Sequence, residues 1–151
     1  MAMKGFLSQF DVTIDDKGRV RIPAKFKAQL GEDFVIACGS SACLKIYPMD
    51  KWEKLTAQVD QLSEFDEDAE QFKRTLYTNA SFGEFDAAGR VLIPKRYRAY
   101  AELKKDLIAS GVGDHFELWD AENWQKGDYA SLAKRRDLQK GIAAKLSGDK
   151  A

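Results

Sequence analysis

Apolar and polar residues alternate over Phe10-Asp11-Val12-Thr13-Ile14, the period of a strand with one buried face. Asp15-Asp16-Lys17-Gly18 interrupts the alternation, and its glycine supplies the positive φ that a tight hairpin turn needs. Val20-Arg21-Ile22 reads as the returning strand, and Pro23 suits the first position of a short helix over 24–30. A strand at 34–38, a Gly-Ser-Ser turn and a strand at 44–47 follow. A helix then opens near Asp50, a residue type suited to an N-cap. Residues 49–78 carry a helical pattern, with the acidic run in their second part, Glu64 to Tyr77. After Trp124, residues 128–146 predict a terminal helix whose apolar positions are Tyr129, Leu132, Leu138, Ile142 and Leu146.

The first of these patterns is spelled twice. Residues 15–23, DDKGRVRIP, recur 71 positions later as DAAGRVLIP at 86–94. Over 15–30 against 86–101, seven of sixteen positions are identical, and Phe26 with Tyr97 and Lys27 with Arg98 are conservative pairs. One residue out of step the likeness continues: FVIACG (34–39) matches DLIASG (106–111), and LKIYPMDKW (44–52) matches FELWDAENW (116–124). Two copies indicate two similar halves and not a solenoid, which needs at least three repeats. The expected class is therefore α+β, with β-β-α-β-β twice in tandem. The expected divisions are a first half at 6–52, a helical connector at 53–78, a second half at 79–124 and a C-terminal helix and tail at 125–151.

Charge adds a detail that composition hides. The chain has 24 basic and 24 acidic side chains and no formal net charge, which by itself argues against a nucleic-acid binder. Yet 17–27 holds five basic residues and no acid, and 90–105 holds six against the single Glu102. Six acids without a base sit in 60–70, so a neutral total leaves room for a basic face. No apolar run approaches the roughly 20 residues of a membrane span. The first residues lack the apolar stretch of a secretory signal, so a cytoplasmic protein is expected.

Asp15 and Arg19 bracket the first turn, as Asp86 and Arg90 bracket the second. One reading is a hairpin pinned by an ion pair or an Asp-to-backbone bond, with the arginine solvated. The other lets Asp15, Gly18, Asp86 and Gly89 brace the turn and presents Arg19 and Arg90 to phosphate or a guanine edge. Repetition favours the second, because many polar residues would fold equally well beside a turn glycine. Lys17 and Arg21 extend the basic field of the first copy. The second copy has Ala88 and Leu92 at those places, so the first tip is expected to bind phosphate more strongly.

Other chemistries find little support. Cys38 and Cys43 flank a turn that would let them face each other across two strands; the simpler reading is two small apolar residues. The lone His115 does not complete a zinc set, so no metal is expected. No nucleophile elbow, Walker loop or dinucleotide fingerprint is present, so no catalytic residue, cofactor or small-molecule substrate is expected, and the chain reads as a non-enzyme. Asp66 and Asp68 read as a solvated helix face. Tyr47, Trp52, Trp119 and Trp124 recur at matching positions, which favours core packing over base stacking.

The two D-x-x-x-R motifs, Asp15 to Arg19 and Asp86 to Arg90, each followed by V-x-I-P, together with GVGDHFELWDAENW, resemble the MraZ family of bacterial transcription regulators. The likeness runs from about Phe6 to Trp124. It implies two AbrB-like, swapped-hairpin halves forming a β-barrel with added helices. It further implies a cytoplasmic, nucleoid-associated repressor of the division and cell-wall gene cluster. Such a repressor binds short direct repeats of double-stranded DNA upstream of its own gene and assembles into rings of subunits. The resemblance gives the DNA contact to Arg19 and Arg90 and the motif aspartate to Asp15 and Asp86. Lys17 lies inside the first motif, and the case for Arg21, just beyond it, is electrostatic. Family members often carry glycine near Ser8, so its replacement here is expected to alter the first strand. A rival reading is a structural or adaptor ring whose basic tips bind an acidic protein or RNA.

Overall fold

The computed structural model describes residues 5–148. The first half folds as β1 (Gln9–Thr13), β2 (Arg19–Arg21), α1 (Ala24–Leu30), β3 (Phe34–Cys38) and β4 (Leu44–Pro48). Two helices, α2 (Met49–Val59) and α3 (Glu67–Thr78), lead to the second half. There β5 (Ala80–Gly83), β6 (Arg90–Leu92), α4 (Lys95–Tyr100), β7 (Asp106–Gly111) and β8 (Phe116–Asp120) repeat the order. Helices α5 (Ala121–Gly127) and α6 (Leu132–Gly148) complete it.

Six strands form one antiparallel sheet in the order β1-β7-β8-β4-β3-β5, while β2 and β6 pair separately as a two-stranded ribbon. Exchanging each strand for its counterpart in the repeat turns this order into its own reverse. A pseudo-twofold axis therefore passes between β8 and β4, and between the central residues of the ribbon, Val20 and Val91. The first strand of each half pairs with the other half: β1 with β7, from Gln9↔Ser110 to Thr13↔Asp106, and β5 with β3, from Phe34↔Gly83 to Ala37↔Ala80. Within a half, only single bridges, Ile14↔Val20 and Phe85↔Val91, join the hairpin arms. The barrel expected from the resemblance is not closed, because β1 and β5 end the sheet as edges.

One core collects residues from both halves. Phe26 of α1, 1% exposed, stacks on Phe116 at 4.8 Å and meets Phe6 and Phe10 edge-on at 5.4 and 5.1 Å. Val20, Val91 and Ile93 are completely buried in the same cluster. Burial of such side chains contributes about 1.5–3 kcal/mol each. On the other side of the sheet, Tyr47 packs with Trp52 at 5.8 Å, and Trp119 with Trp124 at 5.7 Å, so the repeated aromatics are packing residues.

Several local expectations need correction. Pro23 is the N-cap of α1, one place before its first residue, and Pro48, not Asp50, is the N-cap of α2. Asp50 lies in the first turn of α2, where its charge suits the helix dipole. Helix is interrupted at 60–66, and Asp66 caps α3 by accepting from the Asp68 and Ala69 amides at 2.9 and 3.3 Å. The terminal helix starts at Leu132 and not at Asp128, which has φ +51 and ends α5. Its leucines and isoleucine are exposed, and no residue of α6 is buried among the described residues. Cys38 stands opposite Leu44 and Cys43 next to Gly39, so the two free thiols do not face each other. Burial pushes the Cys43 thiol up to about 12.

The two turns are built alike. Gly18 and Gly89 have φ +87 and +77, a region that other residues enter only under strain. The Asp15 carboxylate accepts from the Lys17 and Arg19 amides at 3.0 and 2.8 Å, and Asp86 from the Ala88 and Arg90 amides at 2.9 and 2.8 Å. These bonds, the Arg19 and Arg90 amides foremost, hold both carboxyls below their ordinary value of 3.8, with partial desolvation opposing them. A depressed carboxyl stabilises the fold in full above its unfolded value, and that contribution disappears as pH falls through the folded value. Stability of the protein is therefore expected to drop on acidification below about pH 4, and the drop should be shallower in an Asp15→Asn/Asp86→Asn double variant. Urea midpoints between neutral and acid pH measure this, and parallel curves for the two proteins would refute it.

Ser8 has φ +73, so the chain keeps at this serine the left-handed conformation suited to glycine, and its carbonyl accepts from the Gly111 amide at 2.8 Å. The strain of that conformation falls on the serine. Ser8→Gly is expected to stabilise the fold by about 0.5–1 kcal/mol, raising Tm by roughly 1–4 °C in a scanning melt; an unchanged or lower Tm counts against strain here.

Candidate nucleic-acid interface

The ribbon brings the two repeated motifs together. Its register is Arg19↔Leu92, Val20↔Val91 and Arg21↔Arg90. Because side chains alternate along a strand, the fully buried Val20 and Val91 point into the core. Arg19, Arg21, Arg90 and Leu92 must then share the opposite, outer face. Core packing thus fixes the direction of three arginines without touching them.

Each motif arginine is held by its own aspartate. Arg19 Nε donates to Asp15 Oδ2 at 2.8 Å, and Arg90 Nε donates to Asp86 Oδ2 at 3.0 Å. Arg90 Nη1 also lies 3.9 Å from Asp15 Oδ2, so one carboxylate stands beside arginines of both halves. Side-chain exposure of 30% for each arginine leaves these pairs open to solvent screening, so they orient more than they stabilise. Engaging Nε leaves the Nη nitrogens of Arg19 and Arg90 without a hydrogen-bond partner among the described residues. A guanidinium held along one edge keeps its other edge for a planar acceptor pair, such as phosphate oxygens or the O6 and N7 of guanine.

The other sequence-predicted residues fall around this face. Arg21 Nη1 donates to the Ala88 carbonyl in the second turn at 2.9 Å, and Arg21 is exposed. Lys17 is exposed at the first tip. Chain order assigned Arg21 to the basic field of the first motif, but register sets it beside Arg90, so basic charge is shared more evenly between the two ends than the sequence indicates.

Two further cations went unassigned. A Cβ at Gly18 would lie 2.6 Å from the guanidinium carbon of Arg98, and one at Gly89 would lie 2.9 Å from Lys27 Nζ. Each helix therefore sends a basic residue beneath the turn of the other half, and a side chain on either glycine would displace it. Lys27 also sits 5.1 Å from the Phe85 ring centroid, while Arg98 Nε is buried without a hydrogen-bond partner among the described residues. The retained basic character of Lys27 and Arg98 was the available signal; the crossing of halves that gives it meaning was not.

Comparison with known proteins places the chain in a family. The family described as "MraZ protein, putative antitoxin-like" matches residues 6–75 and again 76–142. A transcriptional regulator MraZ of Lactiplantibacillus plantarum is 42% identical over 137 residues, 91% of this chain and 97% of that protein. The one of Thermomicrobium roseum is 44% identical over 119 residues, 79% of this chain and 84% of its own. That of Halothermothrix orenii is 38% identical over 129 residues, covering 85% and 89%. With the family matched in both halves, and relatives matched along most of their length, the chain belongs to the MraZ family.

Proposed function

We propose that the protein is a DNA-binding transcriptional regulator that lays the outer face of the β2–β6 ribbon on duplex DNA. The observation that carries this reading is the register of the ribbon. Arg21 and Arg90 stand directly opposite one another, with Arg19 on the same face. Like charges directly opposite in a sheet destabilise it, so an exposed arginine face of this kind is best explained by an anion that covers it. The major groove admits a two-stranded ribbon, and arginine pairs with guanine there. Arg19, Arg21 and Arg90 make the central contacts, Lys17 adds a phosphate contact at the first tip, and Asp15, Gly18, Asp86 and Gly89 hold the turns. The names of the relatives, transcriptional regulators, point the same way. Within this reading the protein acts as a cytoplasmic, nucleoid-associated repressor of division and cell-wall genes, its own included, at short direct repeats. The strand exchange between halves accords with swapped hairpins.

Self-assembly belongs to the same proposal. Phe65 is 95% exposed, Phe82 on edge strand β5 is 81% exposed and Leu132 on α6 is 73% exposed. Two quasi-equivalent halves can meet head to tail, and such contacts close into rings when the rotation allows. A ring would hold several ribbons against tandem sites and multiply weak contacts.

Gel shifts with DNA from upstream of the protein's own gene, against random duplex at equal salt, test the reading. Preference for the upstream DNA supports it; equal binding to RNA or to unrelated duplex favours the adaptor alternative. Arg19→Ala and Arg90→Ala are each expected to lower the salt slope of binding by about one unit for a lost phosphate contact, or to cost about 1–3 kcal/mol of discrimination for a lost base contact. Circular dichroism should stay native, and two folded variants that bind as the parent does would return the motif to a hairpin clamp. Light scattering at micromolar concentration should give a mass several times that of one chain, whereas a monomer would remove the ring.

A further inference from the structure

We propose that Leu92 reads the methyl group of thymine, which makes the ribbon a chemically asymmetric reader of guanine together with thymine. The inference rests on the reading of the ribbon as the DNA-contacting surface and deepens it from charge to sequence. Leu92 is 60% exposed and belongs to none of the buried clusters, while its neighbours Val91 and Ile93 are completely buried. A lone exposed leucine ordinarily calls for no explanation. This one stands opposite Arg19 on a face whose other three side chains are arginines, at the place where the first repeat has Arg21. Neither packing nor the hydrogen bonds of the turn use it.

On the major-groove edges of the four base pairs, the thymine C5-methyl is the apolar group a leucine can meet; the rest are hydrogen-bond donors and acceptors. A leucine brought into that groove at any other pair would cover polar edges without satisfying them. Arg19 beside it suits the O6 and N7 acceptors of a neighbouring guanine. The other end of the ribbon offers Arg21 and Arg90 and no apolar group. The backbone is pseudo-twofold but the chemistry is not, so one ribbon reads its site in one direction. A directional reader matches tandem direct repeats, where every subunit faces the same way along the DNA, better than inverted ones.

The test selects bound sequences from a pool of short random DNA duplexes with the full-length protein, then replaces thymines in the selected duplex one at a time by deoxyuridine, which lacks only the methyl. At one position the replacement should weaken binding of the parent protein about three- to tenfold, the effect of one buried methyl-sized contact. Leu92→Ala should bind the thymine and uracil duplexes alike, and Leu92→Arg should select guanine at that position. Arg21→Ala should bind more weakly overall yet keep its sensitivity to the methyl. A selected sequence indifferent to uracil at every position overturns this proposal alone. Failure to select any sequence overturns the DNA reading as well, and the two failures are thereby told apart. Because Leu92 lies on the outer face, both of its variants should melt as the parent does, and a selection unaltered by either would also overturn the assignment.

Discussion

Neither repeat can complete its own sheet, and most of the structure follows from that. β1 finds its partner in β7, β5 in β3, and β2 in β6, each across the boundary between halves. Strand backbone that is not paired must be left to water or covered, so a half taken by itself would expose its first two strands along their length. The shared core has the same origin: Phe26 of the first half stacks on Phe116 of the second, and Val20 and Val91 meet at the centre of the ribbon. Crossing also decides where the motifs lie. Two turns 71 residues apart in the chain become the two ends of a three-residue ribbon.

The electrostatics of that ribbon combine opposed requirements. Arginines gathered on one face repel each other, and nothing in the formal charge of the whole chain, which is zero, relieves that locally. Asp15 and Asp86 moderate the repulsion without removing the positive face, because each takes one edge of an arginine and gives its other oxygen to two backbone amides. The turn is thus made by the amide bonds and the arginine is oriented by the leftover carboxylate oxygen. Partial exposure keeps those pairs weak, and the Nη nitrogens of both arginines stay without a hydrogen-bond partner among the described residues. Lys27 and Arg98 add charge beneath the turns in space that only glycine leaves open.

Much of this was legible in order and little of it in space. Alternation located β1, the apolar run located β3 at its observed bounds, and the recurrence of Tyr47 and Trp52 as Trp119 and Trp124 identified packing residues. These are local signals: period, turn chemistry and side-chain volume. Pairing between Phe10 and Ala109 leaves no trace in such a signal, since either strand would alternate the same way against any partner. Placement of Arg21 beside Arg90 was hidden for the same reason. The open sheet differs from a barrel because β1 and β5 end as edges, which no residue near them announces. On α6 the apolar positions named from the sequence fall inside the helix, apart from Tyr129, and Leu138 and Ile142 are exposed among the described residues.

Duplication explains why the site has two ends, and divergence explains why they differ. A pair of identical halves would give a ribbon whose outer face has the twofold symmetry of its backbone. The fold constrains Val20, Val91, the turn glycines and the aspartates tightly, so those positions stayed alike. The outer face is free of packing, so Arg21 and Leu92 could part without cost to the core. Sequence therefore had room to vary where the fold had no preference, and within the ribbon Arg21 against Leu92 is the position at which the outer face departs from twofold symmetry.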